Sequence, residues 1–188
     1  MVTLVVEDGN SLSTANAYVA EAFVTTYHSD RGNTAWAALS ADNKNIAIIK
    51  ATDYIDKRFG RRFRGYKKQK DQSLEWPRYG ASDNSSYSYS GADIVPRNLQ
   101  KACAEYALRT ISTPELAPDP SASGTGSLTG NKQVVGPIET QQNFAGALSR
   151  DTSSALISGS NIPEYPAADL WIEELLVSNL GTSFGRGD

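Results

Sequence analysis

The strongest constraint on the fold is the segment of residues 41–59, whose apolar side chains repeat every three or four positions. This spacing places them on one face of an α-helix, which must then pack against other parts of the chain. Ser40 is placed to cap the start of this helix, and Gly60 is predicted to end it in a left-handed conformation. The residues on the apolar face are Ile48, Ala51, Thr52, Ile55 and Phe59.

Three further segments have helical patterns. The first follows Asn16, which is predicted to be its N-cap, and runs to about residue 30. The next has Pro96 in its first turn and runs to about residue 112, and the last spans about residues 167–177. The sequence therefore predicts a mainly α fold, a small bundle of about four helices with long loops.

The region between the last two helices has a different composition. Residues 113–131 are rich in Pro, Gly, Ser and Thr, which predicts a flexible linker. Residues 132–144 read as two short strand segments interrupted by Gly136-Pro137, which is typical of an edge strand or an extended arm. We therefore predict a helical core over residues 1–112, the linker, and an arm with the C-terminal helix over residues 132–188 that completes the same domain.

Several classes of protein are excluded by what the chain contains. One cysteine, Cys103, and one histidine, His28, cannot form a disulfide framework or a Cys/His zinc set. Neither a signal peptide nor a membrane span is present in the sequence, which predicts a soluble protein with no membrane partner. No catalytic constellation is found, so we expect no enzyme, metal or cofactor. Cys103 is expected in the core, and His28 as a surface or hydrogen-bonded side chain.

The basic residues are concentrated in residues 57–70, which hold eight of the 18 basic side chains and no acidic residue. Because the whole chain has a net charge of −3, the rest of it is acidic. Such asymmetry indicates a local contact with an anionic partner. The cations are Lys57, Arg58, Arg61, Arg62, Arg64, Lys67, Lys68 and Lys70.

Aromatic residues alternate with these cations, at Phe59, Phe63 and Tyr66. Cations attract phosphates and aromatic rings stack on bases, so the combination suits a single-stranded nucleic acid. In a second interpretation, Phe59 and Phe63 pack inward while the cations face an acidic protein. The pattern by itself favours neither interpretation.

A rigid step follows at Trp76-Pro77-Arg78, because a residue before proline is restricted to extended conformations. This step could present one large ring and one guanidinium to a partner, which makes Trp76 and Arg78 candidate anchoring residues. In the alternative interpretation, Trp76 fills the hydrophobic core.

Several short sequences together resemble a family of tailed-bacteriophage proteins. Its members are often labelled DnaT-like single-stranded-DNA-binding proteins and are similar to the head–tail connector, or adaptor, proteins. The resemblance covers residues 3–112 continuously and parts of residues 134–177. The stretches that carry it are Val5–Gly9, Ala15–Val19, Ala51–Asp56, Leu74–Arg78, Lys101–Glu105, Val135–Glu139 and Tyr165–Ala167.

This resemblance implies a structural protein of the virion, located at the head–tail junction. Twelve copies would form a ring that joins the portal protein to a downstream tail, stopper or nozzle protein and continues the channel for packaged double-stranded DNA. The eight cations would then contact the portal or the DNA, with Trp76 and Arg78 as anchors. The alternatives are a single-stranded-DNA-binding protein in phage replication and a tail-completion protein.

Overall fold

The computed structural model describes residues 2–85, 87–89, 95–117, 127–134, 139–145 and 165–177. In these ranges the chain forms five α-helices, α1 (Glu21–Ser29), α2 (Thr34–Ala37), α3 (Ala41–Phe59), α4 (Arg97–Ser112) and α5 (Pro166–Glu173). A 3-10 turn, Gly60–Arg62, follows α3 directly. Two antiparallel pairs complete the list: β1 (Tyr66–Lys67) with β2 (Arg78–Tyr79), and β3 (Ser127–Val134) with β4 (Glu139–Ala145). The prediction of a mainly α fold is confirmed.

The chain divides into two compact units. One comprises Met1–Leu116 with Glu164–Asp188, and it contains the five helices, β1 and β2. The other comprises Ala117–Pro163 and contains β3 and β4. The domain boundaries proposed above stay a prediction.

The core of the first unit lies where α4 packs between α3 and α5. Ile48 and Ile55 of α3 and Leu99 of α4 are fully buried, as is Ile172 of α5. Burial of each such side chain stabilises the fold by about 1.5–3 kcal/mol. The apolar face predicted for residues 41–59 therefore faces the core, as expected.

The predicted start of α3 is confirmed, but the predicted conformation at its end is wrong. The Ser40 hydroxyl accepts a hydrogen bond from the Asn43 backbone N–H at 3.3 Å, which is an N-cap. Gly60 has a φ of −50° and continues into the 3-10 turn instead of adopting a left-handed conformation. A Cβ at Gly60 would lie 2.9 Å from the Cγ of Glu75, so a larger residue there would displace the Glu75 side chain.

The predicted start of the first helix is also wrong, because Asn16 has a different role. Its side-chain oxygen accepts from the Val5 backbone N–H at 2.8 Å, and its amide donates to the Thr3 carbonyl at 3.0 Å. Asn16 thus ties the N-terminal segment to residues 16–17, where Val6 and Ala17 form an isolated parallel bridge. The helix begins only at Glu21.

The third helix ends at the predicted residue, whereas the last helix is shorter than predicted. Pro96 occupies the N-cap position of α4, which ends at Ser112 as expected. In contrast, α5 ends at Glu173. The chain after it leaves the helix because Leu176 forms an antiparallel bridge with Phe63. Leu176 and Val177, the last residues that the structure describes, are therefore paired with the basic segment through the backbone.

The second unit contains one antiparallel pair, β3 and β4. The sequence predicts two strand segments within residues 132–144, and the pairing shows two strands, of which the first starts earlier, at Ser127. The pairing is irregular between Leu128 and Gly130. Gly136-Pro137 and residues 118–126 of the predicted linker lie outside the described residues.

A polar cluster connects three helices of the first unit. Arg58 of α3 donates two hydrogen bonds to the Asp169 carboxylate of α5, each at 3.2 Å. The Tyr106 hydroxyl of α4 donates to the same carboxylate. A bidentate contact of this kind fixes orientation as well as distance, so the cluster sets how α3, α4 and α5 meet.

His28 is fully buried and connects α1 to α4. One ring nitrogen, Nε2, lies 2.9 Å from the Ala104 carbonyl, and the other, Nδ1, lies 3.0 Å from the Asn33 side-chain amide. A carbonyl can only accept, so Nε2 carries the proton and Nδ1 accepts from Asn33. Burial lowers the pKa of His28, because the charged ring would lose hydration and one acceptor. The expectation of a hydrogen-bonded side chain is confirmed.

This arrangement predicts a loss of stability on acidification. The pKa of His28 is lower in the folded protein than in an unfolded chain, where it is about 6.5. The neutral, buried ring therefore contributes fully to the free energy of unfolding at pH values above about 6.5. The contribution is lost as the pH falls through the folded pKa. The free energy of unfolding should therefore fall more steeply between pH 7.5 and pH 5 in the native chain than in His28→Gln. Denaturant titrations at several pH values measure this, and parallel curves for the two chains would contradict it.

Candidate functional site

Two exposed tyrosines lie side by side on the short β1–β2 ribbon. Tyr66 pairs with Tyr79 across the two strands, and Lys67 pairs with Arg78. Tyr66 and Tyr79 are 66% and 38% exposed, and the centroids of their rings are 6.0 Å apart. Side chains alternate between the faces of a strand, so both rings lie on the outer face while Arg78 points into the protein.

The Arg78 guanidinium holds this ribbon in place. It donates to the Arg64 carbonyl at 3.0 Å and to the Gly65 carbonyl at 2.8 Å. It also donates to the Glu75 carboxylate at 2.8 Å, and its side chain is only 8% exposed. A buried guanidinium has to find acceptors for its donors, and the chain folds around Arg78 to supply them.

Gly65 allows the two strands to approach closely. Its φ of +74° is a conformation that glycine adopts without strain. A Cβ at this position would lie 2.1 Å from the Tyr79 carbonyl oxygen. Only a glycine at position 65 therefore permits the pairing of Tyr66 with Tyr79.

Glu75, which binds Arg78, is itself held by the helical core. Its backbone N–H donates to Asp56 of α3 and to the Tyr18 hydroxyl, at 3.1 Å in each case. Tyr18 donates in turn to the Asp56 carboxylate. Burial raises the pKa of Asp56 to about 6. A chain of hydrogen bonds thus runs from α3 through Asp56 and Glu75 to Arg78 and the ribbon.

Trp76 lies in the core, which confirms the alternative interpretation of this residue. It is 1% exposed, and its ring packs edge-on against Phe63 at 5.8 Å and Tyr89 at 5.9 Å between centroids. The peptide bond between Trp76 and Pro77 is cis. The ring is therefore not presented at the surface. Because Arg78 also points inward, the structure places both candidate anchors inside the protein.

Four of the eight predicted cations are used within the protein. Arg58 binds Asp169, as described above, and Arg64 donates to the Asn84 side chain at 2.7 Å. Lys67 forms an ion pair with Glu75 at 3.2 Å, and Lys68 donates to the Gly9 carbonyl at 3.2 Å. Their side chains are half-buried. The segment is therefore partly structural.

The other four cations are exposed. Within the described residues none of them forms an ion pair or a side-chain hydrogen bond, although the Arg62 guanidinium lies 5.9 Å from the Phe59 ring centroid. Their positions in the chain bring them within about nine residues of Tyr66. These free cations are Lys57, Arg61, Arg62 and Lys70. Whether they contact a partner stays a prediction.

A loop before α1 binds the segment that connects the two strands of the ribbon. The buried Glu7 carboxylate accepts hydrogen bonds from the backbone N–H groups of Gly9, Ser11 and Leu12, each at 2.9 Å. The carbonyl of Leu12 accepts from the Ser73 backbone N–H at 3.1 Å. Glu7 therefore shapes a loop that holds the segment between β1 and β2.

Sequence reasoning singled out Tyr66 but missed Tyr79. Tyr79 could have been found from its position directly after Arg78. Successive side chains of a strand point to opposite faces, so a tyrosine that follows a buried arginine points outward. That signal is readable only once Arg78 is known to be buried, and a cation would ordinarily be placed at the surface.

The remaining predictions concern chemistry. Cys103 is fully buried, and burial raises the pKa of its thiol to about 12. In the described ranges, no group of three or more His, Cys, Asp or Glu side chains is arranged to hold a metal ion. No helix in that part of the chain is long and apolar enough to cross a membrane. The expectation that the protein is not an enzyme stays a prediction.

The fold and this surface define a small, mainly helical protein that carries a ribbon with exposed tyrosines and flanking cations. A family model described as "Putative DnaT-like ssDNA binding protein" matches residues 2–186. The chain therefore belongs to this DnaT-like family. No curated protein matches the chain, and no solved structure matches it either.

The family match corrects the prediction of a head–tail connector. That prediction, together with the ring of twelve copies, the portal protein and the tail partner, is wrong, because the matching family is described by binding of single-stranded DNA. The predicted location in the virion is tested by none of these findings and stays a prediction.

The central role of Arg78 gives a prediction about stability. Arg78→Ala removes this donor from the Arg64 and Gly65 carbonyls and leaves the Glu75 carboxylate with Lys67 alone, which should lower the free energy of unfolding by about 3 kcal/mol. Lys67→Ala is the matched control, since Lys67 binds the same carboxylate from a more exposed position. It should cost only about 0.5 kcal/mol. Denaturant unfolding of both variants measures the difference, and equal losses would contradict the role given to Arg78.

Proposed function

We propose that this protein binds single-stranded DNA with the β1–β2 ribbon and the free cations beside it. The observation that carries the proposal is the pair of exposed rings, Tyr66 and Tyr79, held 6.0 Å apart on a rigid support. Exposed aromatic rings on a surface with cations are the usual combination for binding a single strand without reading its sequence. The proposal corresponds to the alternative interpretation reached from the sequence.

Base stacking gives the ribbon its preference for a single strand. The bases of a single strand can leave their neighbours and stack on protein side chains, whereas duplex bases are covered by their own stack. Each stacked base contributes about 1–3 kcal/mol. Since Arg78 and Gly65 fix the backbone of the ribbon, little order has to be gained by the rings when DNA binds.

The free cations supply attraction to the phosphates. Arg61, Arg62 and Lys70 lie within five residues of Tyr66, so their Cα atoms lie within about 18 Å of its Cα atom. Charges beyond a Debye length of about 8 Å are largely screened at physiological salt. The net charge of −3 therefore does not oppose binding at this surface, because the local charge decides.

The family description supports the same proposal, since it names the binding of single-stranded DNA. An acidic protein remains the competing partner for a purely cationic surface. A competitor of that kind uses the cations but has no need of two exposed rings, so the tyrosines distinguish the two functions.

The tyrosines provide the first test. Tyr66→Ala and Tyr79→Ala should each weaken binding of a fluorescent oligothymidine about 10-fold, because each removes a stacking ring worth about 1–3 kcal/mol. Tyr66→Phe and Tyr79→Phe are matched controls that retain the ring and should bind almost as the native chain does. Fluorescence anisotropy at low salt measures the affinities. Full affinity in both alanine variants, or no binding by the native chain, would contradict the proposal.

The cations provide the second test. The affinity for a single strand falls with salt by about 0.7 logarithmic units per tenfold salt for each neutralised phosphate. The double variant Arg61→Gln with Arg62→Gln should therefore reduce this salt slope by about 1.4. Lys50→Gln is the control, because the Lys50 ammonium is already paired with Glu115 at 3.4 Å. An unchanged slope in the double variant would remove these two arginines from the interface.

A further inference from the structure

A second cationic surface lies on the helices of the same unit. Three cations there each lie over an aromatic ring: Arg31 at 3.5 Å from the Tyr27 centroid, Arg97 at 4.5 Å from that of Phe23, and Lys101 at 4.1 Å from that of Trp171. We call this set the helical strip. It consists of Phe23, Tyr27, Arg31, Arg97, Lys101 and Trp171.

The three pairs form one continuous surface. Phe23 and Tyr27 are one turn apart on α1, and their rings stack with centroids 6.2 Å apart. Arg97 and Lys101 are one turn apart on α4. Because Arg97 reaches across to α1 and Lys101 reaches across to Trp171 of α5, the strip follows the line along which the three helices meet.

The charges of the strip are not neutralised within the described residues. Arg31 uses one donor on the Tyr27 carbonyl at 2.8 Å, and none of the three cations forms an ion pair there. The Glu105 carboxylate lies beside Tyr27 but is already bound by the Tyr27 hydroxyl at 2.9 Å and by Arg109 at 3.3 Å. Three positive charges therefore remain available to an external anion.

The aromatic rings hold these cations in an arrangement suited to a phosphate chain. A guanidinium lying flat on a ring keeps its N–H edge free, and that edge can bind a phosphate with two hydrogen bonds. Arg97 and Lys101 are four residues apart, so their Cα atoms lie about 6 Å apart along α4. Their side chains reach toward different helices, Arg97 toward α1 and Lys101 toward α5, so the two cations can bind different phosphates of one strand.

We propose that the helical strip is a second phosphate-binding surface, which contacts the backbone of the single strand bound at the ribbon. The inference rests on the function proposed above and adds to it a longer DNA path. The ribbon then contributes stacking, and the strip contributes attraction to phosphates through the cation that lies over each of its rings.

The test compares salt slopes for a long oligothymidine. The triple variant Arg31→Gln, Arg97→Gln and Lys101→Gln should reduce the slope by about 2, which is about 0.7 for each lost phosphate contact. Lys44→Gln is the matched control, because Lys44 also lies near a ring, that of Trp36, but is paired with Glu21 at 3.1 Å. Its slope should equal that of the native chain.

The outcomes separate the two proposals. If the native chain binds and the triple variant has the native slope and affinity, the strip plays no part and the inference is overturned, while binding at the ribbon stands. If the native chain does not bind, the proposed function fails and the inference fails with it. If the triple variant does not fold by circular dichroism, the single variant Arg97→Gln decides, because it should reduce the slope by about 0.7 and an unchanged slope would overturn the inference.

Discussion

The surface of this protein depends on one buried guanidinium. Arg78 needs acceptors once it is removed from water, and it finds them in the carbonyls of Arg64 and Gly65 and the carboxylate of Glu75. These contacts bring the basic segment against the segment that follows Trp76. The outward position of Tyr66 and Tyr79 is a consequence of that inward contact, so the contact that stabilises the ribbon also exposes the two rings.

The basic segment contains two groups of cations, one bound within the protein and one exposed, and its composition does not distinguish them. Arg58, Arg64, Lys67 and Lys68 bind groups of the protein itself, and they connect the end of α3 to α5, to the loop before α1 and to the ribbon. The free cations are exposed and lie within nine residues of Tyr66 in the sequence. A count of charges therefore does not separate the four cations that bind groups of the protein from the four exposed ones, and the helical strip was missed because its cations are far apart in the sequence.

How much could be predicted depended on whether a residue's role is local. The limits of α3 followed from apolar spacing and from the Ser40 cap, which are local properties. Asn16 was misread, because its bonds reach Val5 and Thr3 instead of a following turn. Arg78 could not be placed, since only the folded chain supplies its acceptors. The connector function was wrong because only the family part of the resemblance is supported by the family match, and the alternation of cations with aromatic residues favoured neither DNA nor an acidic protein.

The buried thiol of Cys103 has a practical consequence. It is the only cysteine in the chain, it has no exposed surface, and burial raises its pKa to about 12. Thiolate, not thiol, is the reactive form, so maleimide dyes should leave the native fold unlabelled. A single cysteine introduced on the surface would then carry one fluorophore at a chosen site, with no need for a cysteine-free background.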